Sequence, residues 1–164
     1  MLMAPSQSYL AMEHARRLDA DNSIEVRAVL DLAQRSFAYM HDLIEPPSSV
    51  AKLTVEGLAS GPGEVWIIGT PPRATITMTT RPDVLYIGKL AVAEAARGQG
   101  LARQLIDRAR QRASELGLGL IELQTRIELT RNHRTFEALG FVEFERTSHP
   151  GFTRPTSITY RLAV

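Results

Sequence analysis

Apolar residues along this chain recur at two spacings, and the switches between them predict most of its elements. Val26, Val29, Leu30, Ala33, Phe37 and Met40 fall three or four apart, on one face of a helix. Asn22 precedes them as an N-cap, with Glu25 three residues later as in a capping box. A helix is predicted from there to about Met40. Upstream, a strand is predicted around Met12 to Arg16, and the first eight residues are expected to fray. Pro46-Pro47-Ser48-Ser49 breaks the pattern. Thr54, with Glu56 in the following turn, caps a short predicted helix that ends at Ala59.

Downstream the apolar runs shorten to strand length. Glu64 to Gly69, which holds the single tryptophan Trp66, is followed by Ala74 to Thr80 and Val84 to Val92. Pro71-Pro72-Arg73 and Arg81-Pro82-Asp83 separate these runs, and connections this short predict an antiparallel meander. Helical spacing then returns at Leu101, Leu105, Ala109, Ala113 and Leu116, from Gly100 to a C-terminal cap at Gly117. The other face of that helix carries Arg103, Asp107, Arg108, Arg110, Arg112 and Glu115 and reads as solvated. Leu120 to Thr125 reads as a strand, so strand, helix and strand form a right-handed crossover, with this strand parallel to the one ending at Val92. Arg131 to Leu139 predicts a short helix stopped by Gly140. Phe141 to Thr147 and Thr156 to Ala163 predict the last two strands.

Composition narrows the classes. A chain of 164 residues fits one domain and has enough length to bury a core without staples. Cysteine is absent, which excludes disulfides, thiolate metal sites and a cysteine nucleophile, and fits a reducing cytoplasm. Nineteen basic and 18 acidic side chains leave a net charge of +1, without the basic excess of a nucleic-acid binder. No apolar run approaches the ~18 residues of a membrane span, and Met1 to Leu10 lacks the regions of a signal peptide. A cytoplasmic location without membrane contact is expected. His14, His41, His133 and His149 show no i, i+4 pairing, so no metal site is expected. A serine-hydrolase elbow is missing as well.

The most chemically suggestive segment is Arg97-Gly98-Gln99-Gly100-Leu101-Ala102-Arg103, between a strand and a helix. Two glycines thin the backbone there, and the helix start offers unpaired N–H groups and the positive end of its dipole. Such a turn suits a phosphate or pyrophosphate, and Arg97 and Arg103 add positive charge. The third glycine of a Rossmann fingerprint is missing, as is the Lys-Ser/Thr of a Walker loop.

Three segments together carry a resemblance: Leu90-Ala91-Val92, the Arg97 to Ala102 turn, and Phe136-Glu137-Ala138-Leu139-Gly140-Phe141. In their order and spacing they resemble the GNAT superfamily of acyl-CoA N-acyltransferases, from about Glu13 to Leu162 and most strongly from Val84 to Phe141. The resemblance implies an α+β fold over the single domain 1–164: a mixed, mostly antiparallel sheet of six to seven strands with helices on both faces. It implies acetyl-CoA as co-substrate. Its pyrophosphate would lie on the backbone of Arg97, Gly98, Gln99, Gly100, Leu101, Ala102 and Arg103. Its pantetheine arm would pair with the backbone of Leu90, Ala91 and Val92, where the fourth and fifth strands splay. Asn132 and Phe136 would contact the cofactor from the helix that follows. The acceptor would be a small-molecule amine or an exposed amino group, and the last strands offer a surface for a homodimer.

Direct attack of an amine on the thioester sets the chemical demands. Removing a proton from a lysine-like amine at pH 7 costs about 4.6 kcal/mol, whereas a thiolate lies only about 2 kcal/mol uphill. Deprotonating the nucleophile is the larger problem. Phe136 stands where the family places a tyrosine acid and cannot donate a proton, and Leu129 stands where many members have an asparagine. His149, in the loop between the last two strands, and Glu128, after the fifth strand, are the candidate proton-handling residues. His41, Asp42 and Glu45, in the segment before Pro46-Pro47 that shapes the acceptor site in relatives, and Tyr86, through its hydroxyl, are weaker candidates, and Arg154 is a candidate partner for an acceptor carboxylate. An acyl-CoA-binding module without activity is the alternative that Phe136 keeps open, and a binder of another phosphate ligand is a third.

Overall fold

The computed structural model describes residues 13–164. The first eight residues and Met12, the start of the expected first strand, lie outside that range. The described part of that strand, β1, is only Arg16–Arg17. Asn22 accepts from the Glu25 amide at 3.1 Å and starts α1 (Ser23–Phe37). The helical pattern continues to Met40, but Ala38–Met40 tightens into a 3-10 turn. Thr54 accepts from the Gly57 amide at 3.0 Å and caps α2 (Val55–Ser60). Three strands follow: β2 (Glu64–Ile68), β3 (Ala74–Thr80) and β4 (Leu85–Val92). They form the expected antiparallel meander. Next come α3 (Leu101–Glu115), β5 (Leu120–Arg126), α4 (Thr130–Ala138), β6 (Val142–Thr147) and β7 (Ser157–Ala163).

Among the described residues these strands make one sheet of seven, in the order β1-β2-β3-β4-β5-β7-β6. The last strand inserts between β5 and β6, an order the linear pattern did not specify. Side-chain character explains it. The residues of β7 are buried almost throughout, as a central strand requires, while those of β6 (Val-Glu-Phe-Glu-Arg-Thr) suit an exposed edge. Helices cover both faces. On one, Leu105, Ile106, Ala109 and Ala113 of α3 pack on Ile76, Met78, Leu85, Ile87, Ile121 and Leu123. On the other, Val26 and Val29 of α1 and Leu58 of α2 pack on Ile67. Each of the valine, leucine, isoleucine and methionine side chains among them contributes roughly 1.5–3 kcal/mol when fully buried. The outer face of α3 is less solvated than its charges predict. Arg108 lies over the Trp66 ring at 4.4 Å, and Arg112 meets Glu64 at 2.9 Å. Long arginine stems allow apolar packing while the charged head finds a partner.

One irregularity positions the site. From Thr77 to Thr75 on β3, the partner residue on β4 moves from Gly88 to Ala91, so β4 carries an extra residue. Lys89 sits there at φ 50°, the one non-glycine residue of positive φ among those described. A bulge of this kind bends its strand and sharpens its twist. Beyond it β4 leaves β5: the two are parallel, as the crossover predicts, but pair only at Leu85–Ile121 and Tyr86–Glu122.

Candidate active site

The splay leaves half of β4 unpaired on one side. The Ala93 amide donates to the Arg73 carbonyl at 2.8 Å, toward β3. Backbone groups alternate along a strand, so those of Ala91 also face β3, and those of Leu90 and Val92 face the gap. Ala91 itself is buried against β3, so it lines the site from behind rather than offering it a hydrogen bond. A polar strand edge opening onto a cleft needs a partner, and an extended ligand with amide groups supplies one.

At the end of β4 the chain makes a short 3-10 turn (Glu94–Ala96) and enters the glycine segment. Gly98 and Gly100 take φ of 79° and 78°, where a side chain is strained. A Cβ at either would meet no heavy atom within 4 Å, so the protein leaves open space above both. Gly100 is the N-cap of α3 and carries no side-chain cap, and the first amide to bond back into the helix is that of Gln104. The amides of Leu101, Ala102 and Arg103 therefore point out of the helix end, with the dipole behind them. Arg97 is exposed beside them, and Arg103 reaches the Ala138 carbonyl at 3.5 Å, toward α4. Gln99 behaves differently: its side chain accepts from Arg73, which also donates to Glu13 at 2.6 Å.

The N-cap of α4 lies three residues before Asn132. Leu129, buried, holds that position, and Asn132 lies in the first turn, where its Oδ1 accepts from the Tyr39 hydroxyl at 3.4 Å. Leu129 packs with Met40, Ile44 and Phe37, so the segment after α1 is strapped onto the start of α4. Along that segment a pocket of about 250 Å³ is lined by Gln34, Phe37, His41, Ser48, Val50 and Ala51. Asp42 and Glu45 are exposed outside it. The Phe136 ring packs edge-on to Phe141 at 6.0 Å and against Tyr160 at 6.2 Å, at the margin of the main core. The Tyr160 hydroxyl donates to Glu137 at 3.2 Å; burial, with Glu137 beside it, raises its pKa. Burial likewise raises Tyr86, whose ring carries Arg81 at 3.7 Å. Both phenols hold their protons in neutral solution.

The two sequence candidates for proton handling converge on a residue the sequence did not single out, Arg126 at the end of β5. Its Nη1 lies 2.7 Å from Nε2 and 3.0 Å from Nδ1 of His149. A guanidinium only donates, so the nearer nitrogen, Nε2, accepts from it. The proton then sits on Nδ1, which contacts the Thr156 hydroxyl. The same hydroxyl oxygen accepts from the His149 amide at 2.8 Å, and Thr156 is fully buried. Burial first, and Arg126 second, lower the His149 pKa, so the ring is neutral. With both nitrogens engaged, His149 takes a proton only if Arg126 moves off. Burial also lowers Arg126, with Glu128 pulling the other way. Arg126 Nε and Nη2 and Glu128 Oε2 are buried without hydrogen-bond partners. Arg154 offers its carbonyl to Ser148 at 2.7 Å and is itself exposed. Arg126 left one signal in the sequence: a charge closing an apolar strand. Arg73 left none, because an arginine after two prolines in a turn reads as solvent-exposed.

A sheet with a bulged, splayed pair of parallel strands, and a glycine-cradled helix start beside the gap, defines a class that binds an extended anionic ligand. The acetyltransferase (GNAT) family model matches residues 29–141, and the chain belongs to that family. No curated protein matches the sequence. Among solved structures it is similar to the NatC complex bound to Gag peptide and CoA (23% identity, 92% of this chain and 97% of that one, TM-score 0.65). It is also similar to the ribosomal-protein-S18-alanine N-acetyltransferase from Escherichia coli (18%, 93% and 94%, 0.66). A third is an aminoglycoside 6'-N-acetyltransferase complexed with coenzyme A (13%, 91% and 96%, 0.70). At these identities the likeness is one of fold. Among the described residues no helix is long and apolar enough to cross a membrane.

Proposed function

We propose that this protein transfers an acetyl group from acetyl-CoA to a primary amine by direct attack on the thioester. The observation that carries the reading is the pairing of an unpaired β4 edge at Leu90 and Val92 with uncapped amides at Leu101 to Arg103. A pantetheine arm matches the first and a diphosphate the second. Acetyl-CoA supplies an activated acyl group whose thiolate is a good leaving group. The chain's own residues do the rest. The gap-facing amide of Val92 is placed to stabilise the developing oxyanion. Glu128, whose Oε2 is buried without a partner and whose Oε1 is not buried, attracts the cationic amine and takes its proton on that second oxygen. His149, neutral against Arg126, completes the wall beside it. The acceptor enters between the segment 38–53 and the loop 148–156, which are anchored at the same end of β5, on Leu129 and Arg126. Solved structures of similar fold include an N-acetyltransferase of a ribosomal-protein-S18 alanine and one of aminoglycosides, in keeping with an amine acceptor.

Phe136 supports a second reading, a cofactor-binding module without turnover, since it supplies no acid. The thiolate argument limits its weight, because leaving unaided costs about 2 kcal/mol. Incubating the protein with acetyl-CoA and a panel of polyamines, aminoglycosides and peptides with free N-termini separates the two. We expect thiol release above background with at least one acceptor. Binding of CoA without thiol release from any of them overturns the transferase reading.

A further inference from the structure

Arg73 belongs to no recognised motif, yet it touches the anion cradle. It lies between β2 and β3, at the end of the sheet where β4 gives way to the glycine segment. Its backbone is fixed on both sides: the amide donates to Ile68 at 2.7 Å, and the carbonyl accepts from Ala93 at 2.8 Å. From that anchor its guanidinium reaches Gln99 through Nη2 and Glu13 through Nη1. Gln99 stands between the two positive-φ glycines, in a segment whose amides from 97 to 100 make only one backbone hydrogen bond, Arg97 to Glu94. A loop held so lightly by its own backbone loses its shape unless something else fixes it.

We propose that Arg73 is a positioning residue for the cofactor site, acting through Gln99 to hold the glycine turn with its amides aimed at the diphosphate. The inference rests on the acetyl-CoA reading above. Gln99 sits on the β3 side of the turn with Arg73, whereas the gap lies on the β5 side of β4. Its side chain therefore braces the cradle from behind and does not contact the ligand. Glu13 fixes the other fork of the guanidinium and offsets its charge.

Calorimetry of CoA binding to the full chain tests this, with wild type as the control for the cofactor reading itself: a wild type that binds no CoA overturns that reading and this proposal with it, whereas a wild type that binds leaves the reading standing and puts the proposal alone on the variants. Given wild-type binding, we expect Arg73→Gln to weaken CoA on the order of tenfold, the scale of a lost charge-assisted bond. Gln99→Ala is expected to weaken it comparably, and the double variant no more than the weaker-binding single. In turnover, KM for acetyl-CoA should rise with kcat held. Should Arg73→Gln fail to fold, Arg73→Lys keeps the charge but has no fork to span both partners, and it should still bind several-fold less tightly. Wild-type affinity in the Arg73 variant that folds overturns the proposal. So does a weak Arg73 variant beside an unaffected Gln99→Ala, which would mean that Arg73 meets the ligand directly.

Discussion

At Gly100 two requirements coincide in one residue. Its φ of 78° puts the chain in the left-handed region, and as the N-cap of α3 it offers no side chain to compete for the first amides. A Cβ here meets no protein atom, so the protein itself does not force glycine by crowding. What favours it is the backbone conformation, and on the function proposed above the room a diphosphate needs. Gly100→Val should cost about 1–2 kcal/mol of stability from the dihedral alone. It should weaken CoA binding by at least about tenfold, because a branched side chain stands over the amides. A thermal melt with a CoA titration reads both. Intact affinity in the folded variant would move the diphosphate elsewhere.

Among the elements, the β6–β7 connection is held by one buried threonine and one histidine. Thr156 accepts from the His149 amide, its own amide donates to Thr147 at 2.9 Å, and its carbonyl accepts from Ile127 at 3.0 Å. The loop is thereby tied to the chain just beyond β5. His149 is neutral there and faces Arg126, so protonating it sets two cations together in a desolvated place. Its pKa is lowered on folding, so the unfolded chain binds the proton first as pH falls. Its contribution to stability is whole above about 6.5, the ordinary value, and declines below it until the folded pKa is reached. Urea midpoints at pH 7.5 and 5.5 should therefore differ, with His149→Gln reducing the difference. An unchanged difference in that variant would remove His149 from the account. The Glu25 carboxylate, lowered by its bond to Arg16, acts in a more acid range and does not confuse the window.

Over the whole molecule, the divided pairing of β4 is the organising fact. Its first residues close the sheet against β5, and its last open it. Core continuity is preserved because α3 spans both halves, packing on β3, β4 and β5 together. Hydrogen exchange should register that division. With acetyl-CoA at a hundredfold excess over Kd, the Leu90 and Val92 amides should slow by up to about a hundredfold. Tyr86, on the half paired with β5, should change little. Equal effects on both halves would mean that the ligand tightens the fold at large rather than filling the gap.

By itself, the order of residues determined what is local. Helical and strand periods marked α1, α3 and the meander β2–β4 because burial repeats at the period of the backbone. Asn22, Thr54 and the glycines at 98 and 100 marked their termini because capping and positive φ act within a few residues. The candidate site was legible in part for the same reason: a glycine turn running into an uncapped helix start is written consecutively. Tertiary structure decided whatever joins distant segments. The insertion of β7 beside β5, the bulge at Lys89 and the splay beyond it depend on how whole strands pair with one another. Arg73 against Gln99, and Arg126 against His149, are contacts across 26 and 23 residues of chain. No local period encodes them, since their energy exists only once the sheet has brought the two ends together.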